Sequence, residues 1–162
     1  EILLEAGAKQ NIREFGFYAM NALRLEKSFG IWNAEFTQDR TPAMTGMDRW
    51  IDWSRDDFIG HEAASRERSD GSAPQRLVTL EIDADDADAS GYEPIWQNDK
   101  RVGFITSGGY GHHTAKSLAM GLLDAGVDED DGPLMVDVVG KRRSAHTLTE
   151  AAWDPKGERM RL

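Results

Sequence analysis

An α+β chain is what this sequence predicts: the end of a helix-containing α+β lobe, a linker helix, then a small antiparallel β-barrel lobe. Three observations carry that expectation. Apolar residues recur at helical spacing in the first third of the chain. The polar run Ser69-Asp-Gly-Ser-Ala-Pro74 then interrupts the pattern and marks the best boundary. After it the apolar period becomes two, in short runs divided by Gly, Pro and Asn-Asp signals. At 162 residues the chain is long enough to bury roughly 70% of its unfolded surface.

Glu1 to Ala8 reads as the last turns of a helix, with Gly7 placed as its stop. A helix that starts at the first residue has no N-cap, so a piece of a longer chain is expected. Ile12, Phe15, Ala19, Ala22, Leu23 and Leu25 predict a helix over much of Phe17 to Lys27, ended by Gly30. Residues 31–55 are aromatic and irregular, with Pro42 and Gly46 as breakers and a short strand expected over Met47 to Trp53. Asp56 and Asp57 precede a linker helix over Phe58 to Arg68, with acids in its first turn. Strand patterns follow at Val78/Leu80/Ile82, Val102/Phe104, Leu118/Met120/Leu122, Leu134/Val136/Val138 and Ser144 to Thr149. Ala84 to Ala89 and Asp128 to Asp131 read as solvated acidic loops.

Composition narrows the functional classes. There are 29 Asp+Glu against 19 Lys+Arg, a formal net charge of −10. That balance argues against nucleic acid and anionic membrane as partners, since both need a basic face. Without cysteine there is no disulfide, thiolate nucleophile or Cys-type metal site. No apolar run approaches the roughly 20 residues of a membrane span, and no signal peptide opens the sequence. The expectation is a soluble, cytoplasmic protein.

Local motifs for chemistry are few. His112-His113 would point to opposite faces of a strand and reads as a loop, not a metal site. His61 reads as a surface residue of the linker helix. Gly108-Gly109-Tyr110-Gly111 has no Walker lysine and opens no helix, so a flexible turn is expected. The aromatic set Trp32, Phe36, Trp50 and Trp53, with Tyr18 and Arg49, would form either a domain–domain core or the wall of a pocket for a flat ring. Arg24, two residues before Glu26 on the helix, would need a carboxylate if buried. That carboxylate would be structural or the tail of an acidic ligand.

An ordered set of motifs runs along nearly the whole chain. Leu23-Arg-Leu-Glu26 with its flanks resembles a helix of dimethylglycine and sarcosine dehydrogenases, itself a variant of a glycine-cleavage T-protein segment. Phe58-Ile-Gly-His-Glu-Ala63, Gly91-Tyr-Glu-Pro-Ile-Trp96, Val102-Gly103, Thr106-Ser-Gly108, Lys116-Ser-Leu-Ala119 and the Asp154-Pro-Lys-Gly-Glu-Arg159 tail are similar to that superfamily's later segments, in the same order. Each motif alone is weak; their order is specific. The resemblance is to the C-terminal part of the glycine-cleavage T-protein (aminomethyltransferase) superfamily, on its dehydrogenase branch.

Several expectations follow from the resemblance. Residues 1–55 would be the end of the central folate lobe, 56–75 a linker and 76–162 the barrel lobe. The cofactor would be tetrahydrofolate, with FAD confined to an upstream domain. Partners would be folate, a methylated amine and the upstream lobes of the same chain. The superfamily's catalytic aspartate and its pterin-holding glutamate lie upstream, so no catalytic residue is assigned here and the segment alone would be inactive. Candidate cofactor-binding residues are Arg49, Trp50, Tyr18, Arg24 and Tyr110. Met20 stands where T-proteins carry an arginine, which favours the dehydrogenase branch. Arg49 stands where the superfamily has a folate-facing aromatic, with Trp50 beside it, and Met44 replaces an acid. The Arg49 segment supports a non-catalytic docking module as an alternative, and a T-protein or a folate-dependent demethylase on the same fold would differ upstream of these residues.

Overall fold

The computed structural model describes residues 1–159 and 161. Met160 and Leu162, at the end of the Asp154 tail motif, lie outside the described residues. The architecture is α+β. Helices α1 (Ile2–Gly7), α2 (Phe17–Glu26), α3 (Pro42–Thr45) and α4 (His61–Asp70) precede strands β1 (Gln75–Ile82), β2 (Pro94–Gln97), β3 (Lys100–Gly111), β4 (Lys116–Asp124), β5 (Leu134–Val138) and β6 (Lys141–Leu148). The six strands close into an antiparallel barrel in the order β1-β4-β3-β2-β5-β6, as the period of two leads one to expect.

Helix ends differ from expectation for one recurrent reason. Gly7 stays right-handed, and the first helix runs on through a 3₁₀ turn (Ala8–Gln10) to a left-handed Asn11. α2 ends at Glu26 because Ser28 turns left-handed (φ 55°), two residues before Gly30. α4 starts three residues later than expected, behind a left-handed Gly60, so Asp56 and Asp57 do not cap it. Non-glycine residues can take the left-handed conformation at modest cost when tertiary contacts fix the exit path. The strand expected over Met47 to Trp53 is instead a 3₁₀ turn, Asp48–Trp50, with the Trp53 indole N–H donating to Asp48 O at 3.1 Å.

The barrel core is built from inward residues of every strand, among them Leu80, Ile95, Ile105, Leu134 and Val136, all fully buried. β4 is buried on both faces. Ala119 and Leu123 point into the barrel, while Leu118 and Met120 point outward onto Leu25 of α2. On β4 the inner face includes the small residues Ala119 and Gly121, which leave room for the bulky side chains of the neighbouring strands. A Cβ on Gly121 would meet Phe104 O at 2.9 Å and Ile95 Cδ1 at 3.1 Å. On this strand Leu118 and Met120 mark the helix-facing side.

One further expectation needs correction. Gly108 to Gly111 is not a turn: it is the last third of β3, paired with residues 116–119 of β4. The acids of 84–89 and 128–131 are solvent-exposed, as expected, apart from the half-buried Glu129. Asp85 and Asp86 pair with Arg143, and Glu129 Oε1 accepts from Thr147 N at 3.0 Å. His112 and His113 lie in the β3–β4 turn, as expected.

Candidate functional site

A cleft of about 850 Å³ lies between α2 and the end of β3. Tyr18, Asn21 and Arg24 enter from α2, Trp32 from the loop after it, and Thr106 to Tyr110 from β3. Tyr18 is 89% and Trp32 69% exposed. Large rings standing free over a concavity are candidates for stacking on a flat ligand.

The floor is stiff, and a buried carboxylate holds it. Glu35 is fully buried. Its Oε2 accepts from Ile31 N at 2.8 Å and from Arg24 Nη1 at 3.1 Å. Its Oε1 accepts from Thr106 Oγ1 at 2.6 Å and from Ser107 Oγ. One carboxylate thus ties the α2 side chains, the Trp32 loop and β3 together. The Arg24 guanidinium also donates to Asn21 Oδ1 at 2.7 and 3.0 Å and to Phe29 O at 3.3 Å. Burial pulls its pKa below the ordinary value, against the opposing attraction of Glu35. Arg24 therefore has its carboxylate from within the chain. Asn21 Nδ2 donates to Gly108 O at 3.2 Å. A side chain at Gly108 would place its Cβ 2.3 Å from Ala89 O, so only glycine lets the 89 loop close against β3.

The candidates taken from sequence do not converge. Tyr18, Arg24 and Tyr110 line this cleft. Arg49 and Trp50 line another, of about 580 Å³, with Lys27, Phe29 and the Pro155 turn. There the Arg49 guanidinium sits 5.6 Å from the Trp50 ring centre. Trp53 is apart from both, covered by Arg68 at 4.6 Å. The aromatic set is therefore divided: Trp32, named in that set as either core or pocket wall, lines the first cleft, and Glu35 beneath it is the residue that the sequence did not single out. The hydropathy pattern around Trp32 gave no phase, and nothing local marks Glu35, whose hydroxyl partners are 71 and 72 residues away.

The second cleft is anchored by Lys27, which donates to Asp154 O and lies 3.3 Å from Asp154 Oδ2. Burial pushes the Asp154 carboxyl up, but hydrogen bonds from Arg159 N–H, Lys27 and Glu158 N–H outweigh it and hold the pKa below the ordinary 3.8. A depressed carboxyl pKa favours the fold fully above the unfolded value, and the gain is lost as pH falls through the folded one. Asp154→Asn should therefore flatten the acid limb of the stability–pH curve below about pH 4, read by urea midpoints. An unchanged limb would show that Asp154 does not contribute to it.

Among the described residues, no three His, Asp or Glu gather to hold a metal ion, and no helix is long and apolar enough to cross a membrane. Comparison with known proteins is consistent from end to end. Residues 75–154 match the family model described as glycine cleavage T-protein C-terminal barrel domain, and residues 1–55 match the GCVT N-terminal domain. The chain is 36% identical over 163 residues to mitochondrial dimethylglycine dehydrogenase of Mus musculus, covering 100% of this chain and 19% of that protein. It is 29% identical over 157 residues to an aminomethyltransferase of Desulfitobacterium hafniense, covering 97% of this chain and 42% of that one. In fold it superposes on the crystal structure of glycine cleavage system aminomethyltransferase T from Bartonella henselae with a TM-score of 0.80 at 20% identity, over 93% of this chain and 42% of that one.

Proposed function

Since this chain belongs to the glycine-cleavage T-protein superfamily, of the aminomethyltransferase and dimethylglycine dehydrogenase type, we propose that it is the C-terminal part of a module that passes a one-carbon unit from an N-methyl amine to tetrahydrofolate. The chain spans about a fifth of the mouse relative and two-fifths of the bacterial one. In this reading residues 1–55 end a folate lobe, 56–75 link, and 76–162 form the barrel lobe. The upstream lobes of the same protein complete the site, and any FAD domain precedes them.

The cleft rimmed by Tyr18 and Trp32 carries the reading. Its volume suits a ligand with a fused ring system. Its exposed rings offer stacking faces, and the Thr106–Tyr110 backbone runs along one wall. Tetrahydrofolate would supply the nitrogen that accepts the one-carbon unit. The chain's own residues would bind and orient the ring: Tyr18 and Trp32 by stacking, Tyr110 by closing the β3 side, Arg24 by holding Asn21 and Glu35 in place. Glu35 has all its close partners within the protein, which fits a site whose proton-moving carboxylate comes from elsewhere. Arg49 and Trp50 remain in the reading as contacts of the second cleft. A non-catalytic folate-docking role is the alternative that the Met44 and Arg49 departures favour.

Calorimetric titration of tetrahydrofolate into this chain and into its full-length parent tests the proposal. Binding by the parent, much weaker in the chain alone, is expected. In the parent, Tyr18→Ala and Trp32→Ala should each weaken affinity by about 1–3 kcal/mol, the loss of a stacking face. Equal affinity in both variants, with a loss in Trp50→Ala, would move the ring to the second cleft. No binding by the parent would overturn the folate reading.

A further inference from the structure

At one end of the barrel the loop from Asp83 to Ala89 folds over the mouth. Ala84 and Ala87 pack down against the barrel core. A recess of about 430 Å³ remains between this loop and the strands, lined by Asp85, Asp86, Asp88, Tyr110 and Ser117 among others. Ser117 stands opposite Ile82 of β1 and Tyr110 of β3 in the ladders. Paired residues share a face, and Ile82 is part of the barrel core, so Ser117 faces the barrel end and the recess. Its residue is 3% exposed, and its Oγ has no hydrogen-bond partner among the described residues. An unpartnered buried hydroxyl is costly and calls for an occupant.

The sign of the rim says what occupant. Asp85 and Asp86 are matched by Arg143 and Lys141. Asp88 has no ion-pair partner among the described residues, which leaves the mouth with an excess negative charge. The Tyr110 ring stands beside it, 40% exposed, with His112 edge-on at 5.2 Å. A carboxylate, an aromatic face and a hydroxyl acceptor together suit an organic cation. The acids do not gather closely enough for a metal ion. The Ser117 hydroxyl can accept a hydrogen bond, and beside an acidic rim an ammonium with at least one N–H matches both the charge and that acceptor.

We propose that the barrel mouth is a binding site for a small alkylammonium group, held by Asp88 and Tyr110 at the rim and by Ser117 Oγ at the base. The site adjoins the α2–β3 cleft, since Asp88 and Tyr110 line both. Ser117 lies outside that cleft, so its part in the site does not rest on the folate reading, while Tyr110 is shared with it.

The test is titration of methylammonium chloride into the 162-residue chain, at constant ionic strength against sodium chloride, followed by amide chemical shifts. Saturable shifts confined to residues 84–88, 110 and 115–117 are expected. Asp88→Asn and Ser117→Ala should each weaken the apparent affinity by about tenfold, the loss of one charge-assisted hydrogen bond. Ser117→Ala should leave the melting temperature unchanged or raised, since it removes an unpartnered hydroxyl. Tetramethylammonium, with no N–H, should leave the Ser117 amide unmoved. Shifts matching those from sodium chloride, or affinity unchanged in Ser117→Ala, would overturn the site and leave a water on Ser117 beneath a solvated acidic rim.

Discussion

Glu35→Ala should lower the unfolding free energy by about 3–5 kcal/mol, the range for removing one partner of a buried ion pair. The Glu35 carboxylate is fully excluded from water and accepts from Arg24, Ile31 N, Thr106 and Ser107. Its loss strands the Arg24 guanidinium, only 10% exposed, and leaves the Ser107 hydroxyl and the Ile31 N–H without their acceptor, while Thr106 Oγ1 keeps Met120 O at 3.0 Å. Stranded charge outweighs the lost packing of a short side chain, which is why Arg24 enters the design of the test. Arg24→Met combined with Glu35→Gln should recover part of the loss, because a neutral pair does not leave a charge unmatched. Urea denaturation gives the numbers. A Glu35→Ala midpoint within error of wild type would mean that water reaches Arg24. If the proposed folate reading holds, the same variant should also weaken tetrahydrofolate binding in the parent, because the Trp32 loop and β3 lose their common tie.

Glu26→Ala should be the second most damaging change, by about 2–4 kcal/mol for hydrogen bonds to a charged acceptor. Glu26 is 2% exposed, and its Oε1 accepts from His113 N and Thr114 N at 2.8 Å each and from Thr114 Oγ1 at 3.2 Å. It is also the last residue of α2. A carboxylate at a helix C-terminus opposes the helix dipole, at a cost of about 0.3–1 kcal/mol. Three hydrogen bonds to the β3–β4 turn exceed that cost, so the turn and not the helix explains the residue. A Cβ on Gly111 would meet Glu26 Oε1 at 2.9 Å, which shows how closely the turn is drawn onto it. Hydrogen exchange at the His113 and Thr114 amides should accelerate in Glu26→Ala and hold in Glu26→Gln, which keeps one acceptor. Equal protection in wild type and Glu26→Ala would remove Glu26 from the account of the turn.

Much of the fold was legible because strands and helices are written in local periods. Val78, Leu80 and Ile82 show their inward face directly, as do Leu134, Val136 and Val138. The ordered motifs added the superfamily, and with it the barrel. β2 is only four residues long and begins with Pro94, too short for a period to register. Gly108 to Gly111 carries turn-forming residues, yet pairing with β4 and contact with Ala89 and Glu26 hold it extended. Tertiary partners outweighed local propensity there.

The candidate site divides along the same line. Tyr18 could be named from the aromatic set and Tyr110 from the family motif, but their shared cleft requires α2 to lie on β3. Arg49 and Trp50 belong to the same aromatic composition as Tyr18 and Trp32, and only the path of residues 31–55 separates them into two clefts. Glu35 had no local signature, since a carboxylate becomes a structural hub only when groups distant in sequence surround it. The sequence alone therefore determined the class, the family and the phase of the main strands, all of which are local or additive signals. The tertiary structure decided which side chains share a cavity and which charges are neutralised, because burial and hydrogen bonding depend on contacts between residues far apart along the chain.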